Sequence, residues 1–280
     1  MSGGDRGGAR AGGRGPRGRR APRRARALLA VDVGNTEVVV GVFHEGRLDR
    51  SWRFRTVAGE TADEWLLRLL GLAERANVAG FLGSAVASVV PGITPSLVEA
   101  LTAATGRRPL VVSHKIRMPI RLAVESPAEV GADRIANAAG AFVRHGGPAL
   151  VVDLGTATTF DLVDARGRYL GGAIAPGMIV SSEELVRRAA RLFRVELTPP
   201  ARAIGRNTTQ SLRSGIVWGT VAQIDGLVRR LAAEWGTRPL VIATGGLSTV
   251  LGPYCRTVRL IEPDLTLEGI RILFEGRRGG

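Results

Sequence analysis

The sequence predicts two related α/β domains that face each other across a cleft. Three observations predict this fold. A strand that ends in Asp-x-Gly with a hydroxyl residue close behind occurs twice, at residues 32–36 and 153–159. In both copies a turn glycine, Gly46 or Gly167, lies 14 residues after the aspartate, so each copy reads as a run of three antiparallel strands. Strands and helices also mix in both halves of the chain, which is typical of α/β architecture.

The repeated motif has the chemistry of a phosphate-binding loop. A glycine after a strand lets the backbone approach an anion, because no Cβ intervenes, and exposed N–H groups in such a turn form an anion-binding concavity. The threonine hydroxyls add donors, and an aspartate at the strand end suits Mg²⁺, which binds oxygen ligands. A single Asp-x-Gly is also a common turn, and the matched spacing of the two copies favours the loop. Two such loops across one cleft indicate a nucleotide-dependent phosphotransferase.

The first domain is predicted over residues 27–146. Its hairpin unit ends near Thr56, and Thr61 then begins an amphipathic helix as its N-cap. The further elements predicted in this half are a buried strand at 80–86, a helix at 96–105, a short strand at 110–112, an irregular segment at 119–127 and a helix at 128–144.

The second domain is predicted over residues 147–280. Its hairpin unit begins at Ala149 and leads into a glycine-rich turn before a helix. The elements predicted after the hairpin are the turn at 171–177, a helix at 181–193, a loop at 204–208, a helix at 211–235, a strand at 240–244 with a glycine turn, and a final helix after 261–269.

Composition excludes several classes of protein. The hydrophobic fraction of 45% is ample for a core, and the one cysteine, Cys255, excludes an intramolecular disulfide and fits a reducing cytoplasm. The three histidines do not cluster, so no zinc site is predicted. Lys115 is the single lysine and no Gly-Lys-Ser/Thr triplet occurs, which excludes a P-loop. No apolar run reaches the roughly 18 residues of a membrane span, and we expect a cytoplasmic protein without membrane contact.

A basic N-terminal segment carries much of the net charge of +14. Residues 1–26 contain nine arginines and one aspartate but almost no large apolar residue, so they cannot form a core and are predicted to be disordered. Three interpretations stay open for this segment. They are loose, non-specific contact with nucleic acid, a targeting peptide, and a flexible or wrongly assigned start without a role.

The motifs of the chain, in their order, resemble those of type III pantothenate kinases. Each motif alone is weak, whereas the ordered set is specific and covers residues 28–276. The motifs are Asp-Val-Gly-Asn-Thr at 32–36, Gly-Ala-Asp-Arg at 131–134, Asp-Leu-Gly-Thr-Ala-Thr-Thr at 153–159, Gly-Gly-Ala-Ile-Ala-Pro-Gly at 171–177, Ile-Gly-Arg-Asn-Thr at 204–208, Thr-Gly-Gly at 244–246 and Leu-Thr-Leu-Glu-Gly at 265–269.

This resemblance implies a fold, a reaction and its requirements. The fold is the duplicated actin-like fold of the acetate and sugar kinase/Hsc70/actin class, ribonuclease H-like, with a central cleft. The reaction is the ATP-dependent phosphorylation of pantothenate to 4′-phosphopantothenate, the first step of coenzyme A biosynthesis. The cofactors are Mg²⁺ and a monovalent cation, potassium or ammonium, and the assembly is a homodimer.

The resemblance also assigns roles to matching positions. Asp133 would be the general base, Asp153 would ligate the monovalent cation, and Asp32 would lie near Mg²⁺. The positions that would contact pantothenate are Gly131, Ala132, Asp133, Arg134 and, from across the dimer interface, Thr208. The positions that would contact ATP are Asp32, Val33, Gly34, Asn35, Thr36, Glu37, Val38, Val39 and Thr156, with residues 244–246 near the nucleoside.

General chemistry supports these roles and also leaves simpler interpretations open. A primary alcohol needs a base that accepts its proton as the new P–O bond forms. Arg134 is expected to favour the ionised form of Asp133 and to be able to pair with a substrate carboxylate. By themselves, the residues around Asp133 also read as an ordinary helix start, and Thr208 reads as a helix cap.

Two positions depart from the family pattern. Val124 lies nine residues before the base, where many members have a tyrosine that lines the pantothenate pocket, so substrate affinity or identity is expected to differ. Glu37 directly follows the first loop, where a neutral polar residue is common. Its carboxylate would hold metal, repel phosphate or, in the simplest interpretation, point away along the strand.

Two alternatives to a pantothenate kinase stay open. One is a kinase for a related small hydroxy acid, for which Val124 is the reason. The other is a non-catalytic regulatory or nucleic-acid-binding paralogue, for which the basic segment is the reason. A purely binding role does not require Asp32, Asp133, Asp153 and Thr156 together, so the intact set favours an enzyme.

Overall fold

The computed structural model describes residues 26–189 and 191–277. Two mixed sheets, with helices packed against them, form the molecule. The strands are β1 (Ala27–Val33), β2 (Glu37–His44), β3 (Arg47–Arg55), β4 (Phe81–Ser88), β5 (Leu110–Val111), β6 (Arg121–Leu122), β7 (Ala149–Leu154), β8 (Ala157–Val163), β9 (Arg168–Pro176), β10 (Leu240–Thr244) and β11 (Leu260–Ile261). The helices are α1 (Ala62–Arg75), α2 (Thr94–Thr105), α3 (Ala132–His145), α4 (Met178–Arg188), α5 (Thr208–Trp235), α6 (Ser248–Leu251) and α7 (Leu265–Gly276).

The two sheets share one topology, and each contains one copy of the repeated motif. The strand orders are β3-β2-β1-β4-β5 in the first sheet and β11-β10-β7-β8-β9-β6 in the second. In each sheet an antiparallel run of three strands is followed by two strands that lie parallel to the first strand of the run. The predicted duplication is confirmed, and β6 is an addition to the second sheet.

Strands β1 and β2 of the first sheet are buried on both faces and are apolar almost throughout, whereas the edge strand β3 is largely exposed. One face packs against α1 and α2 through large side chains that include Trp65 and Leu97. The other face packs against α3 and α7 through Ile135 and Ile270. The N-cap predicted for α1 is confirmed, since the hydroxyl of Thr61 accepts a hydrogen bond from the backbone N–H of Glu64.

Two elements cross the predicted division of the chain at residue 146. The last helix, α7, packs against α3 and against β1 and β4 of the first sheet, and a Cβ at Gly83 would lie 2.7 Å from the Phe274 ring. Strand β6 comes from the first half, yet it pairs with β9, with Leu122 opposite Tyr169. The division into residues 27–146 and 147–280 stays a prediction, and these elements tie the two parts together.

The structure corrects three local predictions. The segment at 119–127, predicted to be irregular, contains β6 and is followed by a 3₁₀ turn, so α3 begins only at Ala132. The glycine-rich segment at 171–177, predicted to be a turn, is mostly the second half of β9. Gly172 lies opposite Asp161 there, and a Cβ would lie only 1.6 Å from the carbonyl oxygen of Phe160, so glycine allows the strand to continue. The helix predicted at 181–193 spans Met178–Arg188 instead.

Two further sequence predictions concern the N-terminal segment and membrane-spanning helices. The disorder and the possible roles predicted for residues 1–26 fall almost entirely outside the described residues, which begin at Arg26. Within the described part of the chain, no helix combines the length and the apolar character that crossing a membrane requires.

Candidate active site

The carboxyl ends of β1 and β7 meet at one cavity of about 500 Å³, which residues of both halves line. The two predicted loops touch there, because the Oγ1 atoms of Thr36 and Thr156 are 2.8 Å apart and hydrogen-bonded. Both turns are closed by a hydrogen bond from the backbone N–H of their glycine. Gly34 N donates to the carbonyl of Glu37 at 2.9 Å, and Gly155 N donates to that of Ala157 at 3.1 Å. The predicted site residues that line this cavity are Asp32, Gly34, Asn35, Thr36, Glu37, Val39, Asp133, Asp153 and Thr156.

Other predicted site residues lie apart from the cavity wall. Val33 and Val38 are fully buried beneath the first loop, where they support its backbone. Gly131, Ala132 and Arg134 flank Asp133 without lining the cavity. Thr208 lines a different cavity of about 630 Å³ between α4 and α5. It is the first residue of α5, whose N-cap is Asn207, so Thr208 is not the cap.

Asp133 combines a cavity position with a weakened preference for ionisation. It lies in the first turn of α3, and its Oδ1 accepts a hydrogen bond of 2.8 Å from the backbone N–H of Arg134. Burial raises the pKa of the carboxyl above its usual range, while that bond and the charge of Arg134 lower it by less. The expectation that Arg134 favours the ionised carboxylate is confirmed, but the loss of hydration outweighs this effect, so the net pKa is raised.

Asp153 is held by a chain of hydrogen bonds that the sequence analysis missed. The buried amide of Asn137 donates to Asp153 Oδ2 at 2.8 Å, and its oxygen accepts from Thr266 Oγ1 at 2.8 Å. Burial raises the pKa of Asp153 to about 7, the hydrogen bond from Asn137 lowers it, and the charges of Asp133 and Asp161 raise it further. Asn137 follows Asp133 by four residues, one turn of α3, and this spacing is the signal that would have indicated it.

The carboxylates of the cavity fit the predicted cations. Burial, followed by the charges of Asp133 and Asp153, raises the pKa of Asp32 well above its usual range, and Arg53 lowers it. Thr244 pairs in register with Asp153, and among the described residues its buried hydroxyl has no hydrogen-bond partner. The described part of the chain holds no cluster of three or more His, Cys, Asp or Glu side chains suited to a metal. Crowded carboxylates next to an unpaired hydroxyl suit a hard cation that is also held by other oxygen ligands.

Arg53 is a functional candidate that the sequence analysis missed. Its Nη1 lies 3.3 Å from Glu37 Oε2, and both side chains line the cavity. The simplest interpretation of Glu37, that it points away along the strand, is therefore wrong. Arg53 Nη1 also lies 3.9 Å from the position that a Cβ on Gly246 would take, so the side chain reaches the glycine turn of the other half. No other arginine or lysine of the described residues lines this cavity.

Comparison with known proteins decides the family. A sequence model described as type III pantothenate kinase matches residues 28–230. The chain belongs to the type III pantothenate kinase family. It is 47% identical over 255 residues to the type III pantothenate kinase of Acidothermus cellulolyticus and 45% identical over 252 residues to that of Moorella thermoacetica. Each match covers 89% of this chain and 98% of the relative.

Solved structures support the predicted fold of this family member. A putative Baf family transcriptional activator from Campylobacter jejuni aligns with a TM-score of 0.57 at 18% identity, over 90% of this chain and 100% of that one. MreB 5 of Spiroplasma citri, bound to AMPPNP, aligns with a TM-score of 0.54 at 10% identity, over 90% of this chain and 97% of that one. The chain therefore has the actin-like fold of the acetate and sugar kinase/Hsc70/actin class. Its membership of the type III pantothenate kinase family makes it a kinase.

Proposed function

We propose that this enzyme transfers the γ-phosphoryl group of ATP to the 4′-hydroxyl of pantothenate in the cavity between the two loops. Family membership supports the reaction and both substrates. The observation that carries the assignment of the site is the contact between Thr36 and Thr156, with Asp133 on the wall of the same cavity. Because ATP is supplied in the cytoplasm, we propose that the enzyme acts there.

The ATP phosphates are proposed to bind where the two loops meet. Backbone N–H groups and the hydroxyls of Thr36 and Thr156 would donate to phosphate oxygens, as in other anion-binding turns. The remaining residues at 32–39 would shape this loop. Arg53 would supply the positive charge that lysine provides in many other nucleotide sites, and it would exchange its pairing with Glu37 for a phosphate oxygen.

Asp133 is proposed as the general base for the 4′-hydroxyl. A base works best when its pKa lies near the operating pH, and the raised pKa of Asp133 moves it in that direction from the usual aspartate value. The proton would pass from the hydroxyl oxygen to the carboxylate as the P–O bond forms.

Cations are proposed at two of the carboxylates. Asp153, supported by Asn137 and adjacent to Thr244, would hold the monovalent cation, potassium or ammonium, and Asp32 would hold Mg²⁺. When bound, these ions supply positive charge that neutralises phosphate and orients it. Asn137 itself fixes the direction of the Asp153 carboxylate.

Pantothenate is proposed to bind beside Asp133, on Gly131, Ala132 and Arg134, with Thr208 from the second protomer of a homodimer. In one chain Thr208 lines a different cavity, so this role requires that a second copy bring it to the site. A molar mass twice that of one chain in light scattering is the expected result. A monomer with full activity would contradict it.

The test of the proposed function is ADP release from purified protein with ATP, Mg²⁺ and pantothenate, with and without potassium. Pantothenate-dependent turnover that potassium stimulates is expected, and EDTA should abolish it. A folded sample with no turnover in either condition would contradict the proposal.

A related small hydroxy acid is the second candidate acceptor, and Val124 is the reason. Val124 packs against the hydrophobic cluster that contains Tyr169 and Ala132, so it lies beside the proposed pantothenate site without a hydroxyl. Competition between pantothenate and shorter hydroxy acids, measured as kcat/KM for each, distinguishes the two acceptors.

A further inference from the structure

Asp161 is a buried carboxylate that the proposed mechanism does not use. Its side chain is fully buried, and it accepts three hydrogen bonds from other side chains. Arg134 Nε donates to Oδ1 at 2.7 Å, the hydroxyl of Tyr169 donates to Oδ1 at 2.7 Å, and Thr159 Oγ1 donates to Oδ2 at 3.0 Å. A buried carboxylate with this many partners has a fixed orientation, because turning it would break bonds at both oxygens and leave them desolvated.

The cluster holds Arg134 in a particular way. Only its Nε is bound by Asp161, and among the described residues neither terminal nitrogen of Arg134 has a hydrogen-bond or ion-pair partner. The guanidinium also lies over the Tyr169 ring, with Cζ 5.9 Å from the ring centroid. The guanidinium is thus restrained at Nε and on one face by the Tyr169 ring, while its two terminal nitrogens stay available to donate to a ligand.

The support is built into the fold around it. Arg134 comes from the first turn of α3, next to Asp133, whereas Asp161 and Tyr169 come from neighbouring strands β8 and β9. Gly172 lies opposite Asp161, where any side chain would strike the backbone of β8. The cluster therefore fixes the start of α3, with its proposed base, relative to the second sheet.

We propose that Asp161, with Tyr169 behind it, is a positioning residue that orients Arg134 toward the acceptor substrate. This inference rests on the proposed role of Arg134 in binding pantothenate. Asp161 would act only through Arg134, so it would affect binding of the acceptor and leave binding of ATP unchanged. The ion pair supports this view, because pairing with a guanidinium offsets part of the free energy that burying a carboxylate requires.

The test compares Asp161→Asn and Tyr169→Phe with a matched control, Asp164→Asn, in the full chain. Asp164 also lies at the β8–β9 hairpin and pairs with an arginine, Arg168, but Arg168 has no proposed role in substrate binding. Losing a charged partner should raise KM for pantothenate roughly 10–100-fold in Asp161→Asn, and losing one hydrogen bond should raise it about 3–10-fold in Tyr169→Phe. KM for ATP should stay within about twofold in both variants, and Asp164→Asn should resemble wild type.

A double-variant cycle adds a readout that a purely structural role would not produce. If Asp161 acts through Arg134, adding Asp161→Asn to Arg134→Ala should change KM for pantothenate by less than about threefold. Additive losses, or equal changes in KM for both substrates, would overturn the inference. Should Asp161→Asn not fold, a folded Tyr169→Phe variant with unchanged KM for pantothenate would also overturn it. Wild-type protein without pantothenate turnover would instead contradict the proposed function, so the two failures are distinguishable.

Discussion

At the residue scale, three aspartates share one cavity, and burial raises the pKa of each. Asp32, Asp133 and Asp153 lie on its wall, and their charges add to the effect of burial at Asp32 and Asp153. Carboxylates that repel one another in a partly dehydrated cavity gain stability from a cation or a proton. The same burial that makes Asp133 a stronger base thus makes its neighbours suitable for cations.

Asp133→Asn should leave the fold intact and lower kcat roughly 10²–10⁴-fold, the usual contribution of a general base. The amide cannot accept the proton of the acceptor hydroxyl. Steady-state kinetics with circular dichroism as the check on folding measures this effect. Glu183→Gln is the control, since Glu183 lines the same cavity without a proposed role, and a near-normal kcat for Asp133→Asn would remove Asp133 from this role.

Arg53→Met should raise KM for ATP by roughly 10-fold or more, because a charge-assisted hydrogen bond to phosphate is worth about 1.5–3 kcal/mol. KM for pantothenate should change little. The matched control is Arg55→Met on the same strand, since Arg55 is exposed and does not line the cavity. Equal KM values for ATP in the two variants would contradict the proposed contact between Arg53 and an ATP phosphate.

At the element scale, the strand-to-turn junctions bring the site together. Thr244 ends β10 beside Asp153 on β7, and the turn that follows allows Gly245 to approach closely. Gly245 has a φ of +87°, and a Cβ there would lie 2.4 Å from Asp153 Oδ1. The Thr-Gly-Gly motif is therefore explained by crowding around the proposed cation ligand.

Gly245→Ala should destabilise the protein by about 1–3 kcal/mol, since the left-handed backbone and the clash with Asp153 both oppose a side chain. It should also reduce the stimulation by potassium. Urea unfolding and a potassium titration of activity measure the two effects. Gly226→Ala is the control on α5, where a Cβ meets nothing within 4 Å, and it should stabilise by about 0.5–1 kcal/mol. An unchanged potassium response in Gly245→Ala would contradict the role of this turn.

At the scale of the whole molecule, side chains from both halves form each polar cluster. Thr266 of α7 supports Asn137 of α3, which holds Asp153 of β7. Arg134 of α3 pairs with Asp161 of β8. Protonation of a buried member of these clusters is therefore expected to change the stability of the entire fold.

Asp161 should make stability depend on pH in a defined direction. Burial raises its pKa to about 6, with Arg134, Tyr169 and Thr159 lowering it by less. Its contribution is fully present below the unfolded pKa of about 4 and is lost as the pH rises through about 6. The free energy of unfolding of wild type, minus that of Asp161→Asn, should therefore fall by up to about 3 kcal/mol between pH 4 and pH 7. Urea unfolding across this range measures the difference, and subtracting Asp161→Asn removes most of the contribution of Asp32, Asp133 and Asp153, which titrate in both proteins. A flat difference would contradict the raised pKa.

The fold class, the family and the members of the two loops could be predicted from the order of residues alone. These features can be read from sequence because the same loop has the same local backbone requirements. Both copies need a glycine after the strand and a threonine close behind it. The sequence also predicted that Asp32, Asp133, Asp153 and Thr156 belong to one site, and the structure brings all of them to one cavity.

The three-dimensional arrangement was needed to find the polar side chains that support that site. Arg53, Asn137 and Asp161 are separated in sequence from the residues that they contact or approach, and each lies in a segment that reads as an ordinary strand or helix. It also decided that Glu37 faces the cavity, and that desolvation outweighs the charge of Arg134 at Asp133. The physical reason is that hydration and pairing depend on what surrounds a group in three dimensions, whereas a sequence motif records only its neighbours along the chain.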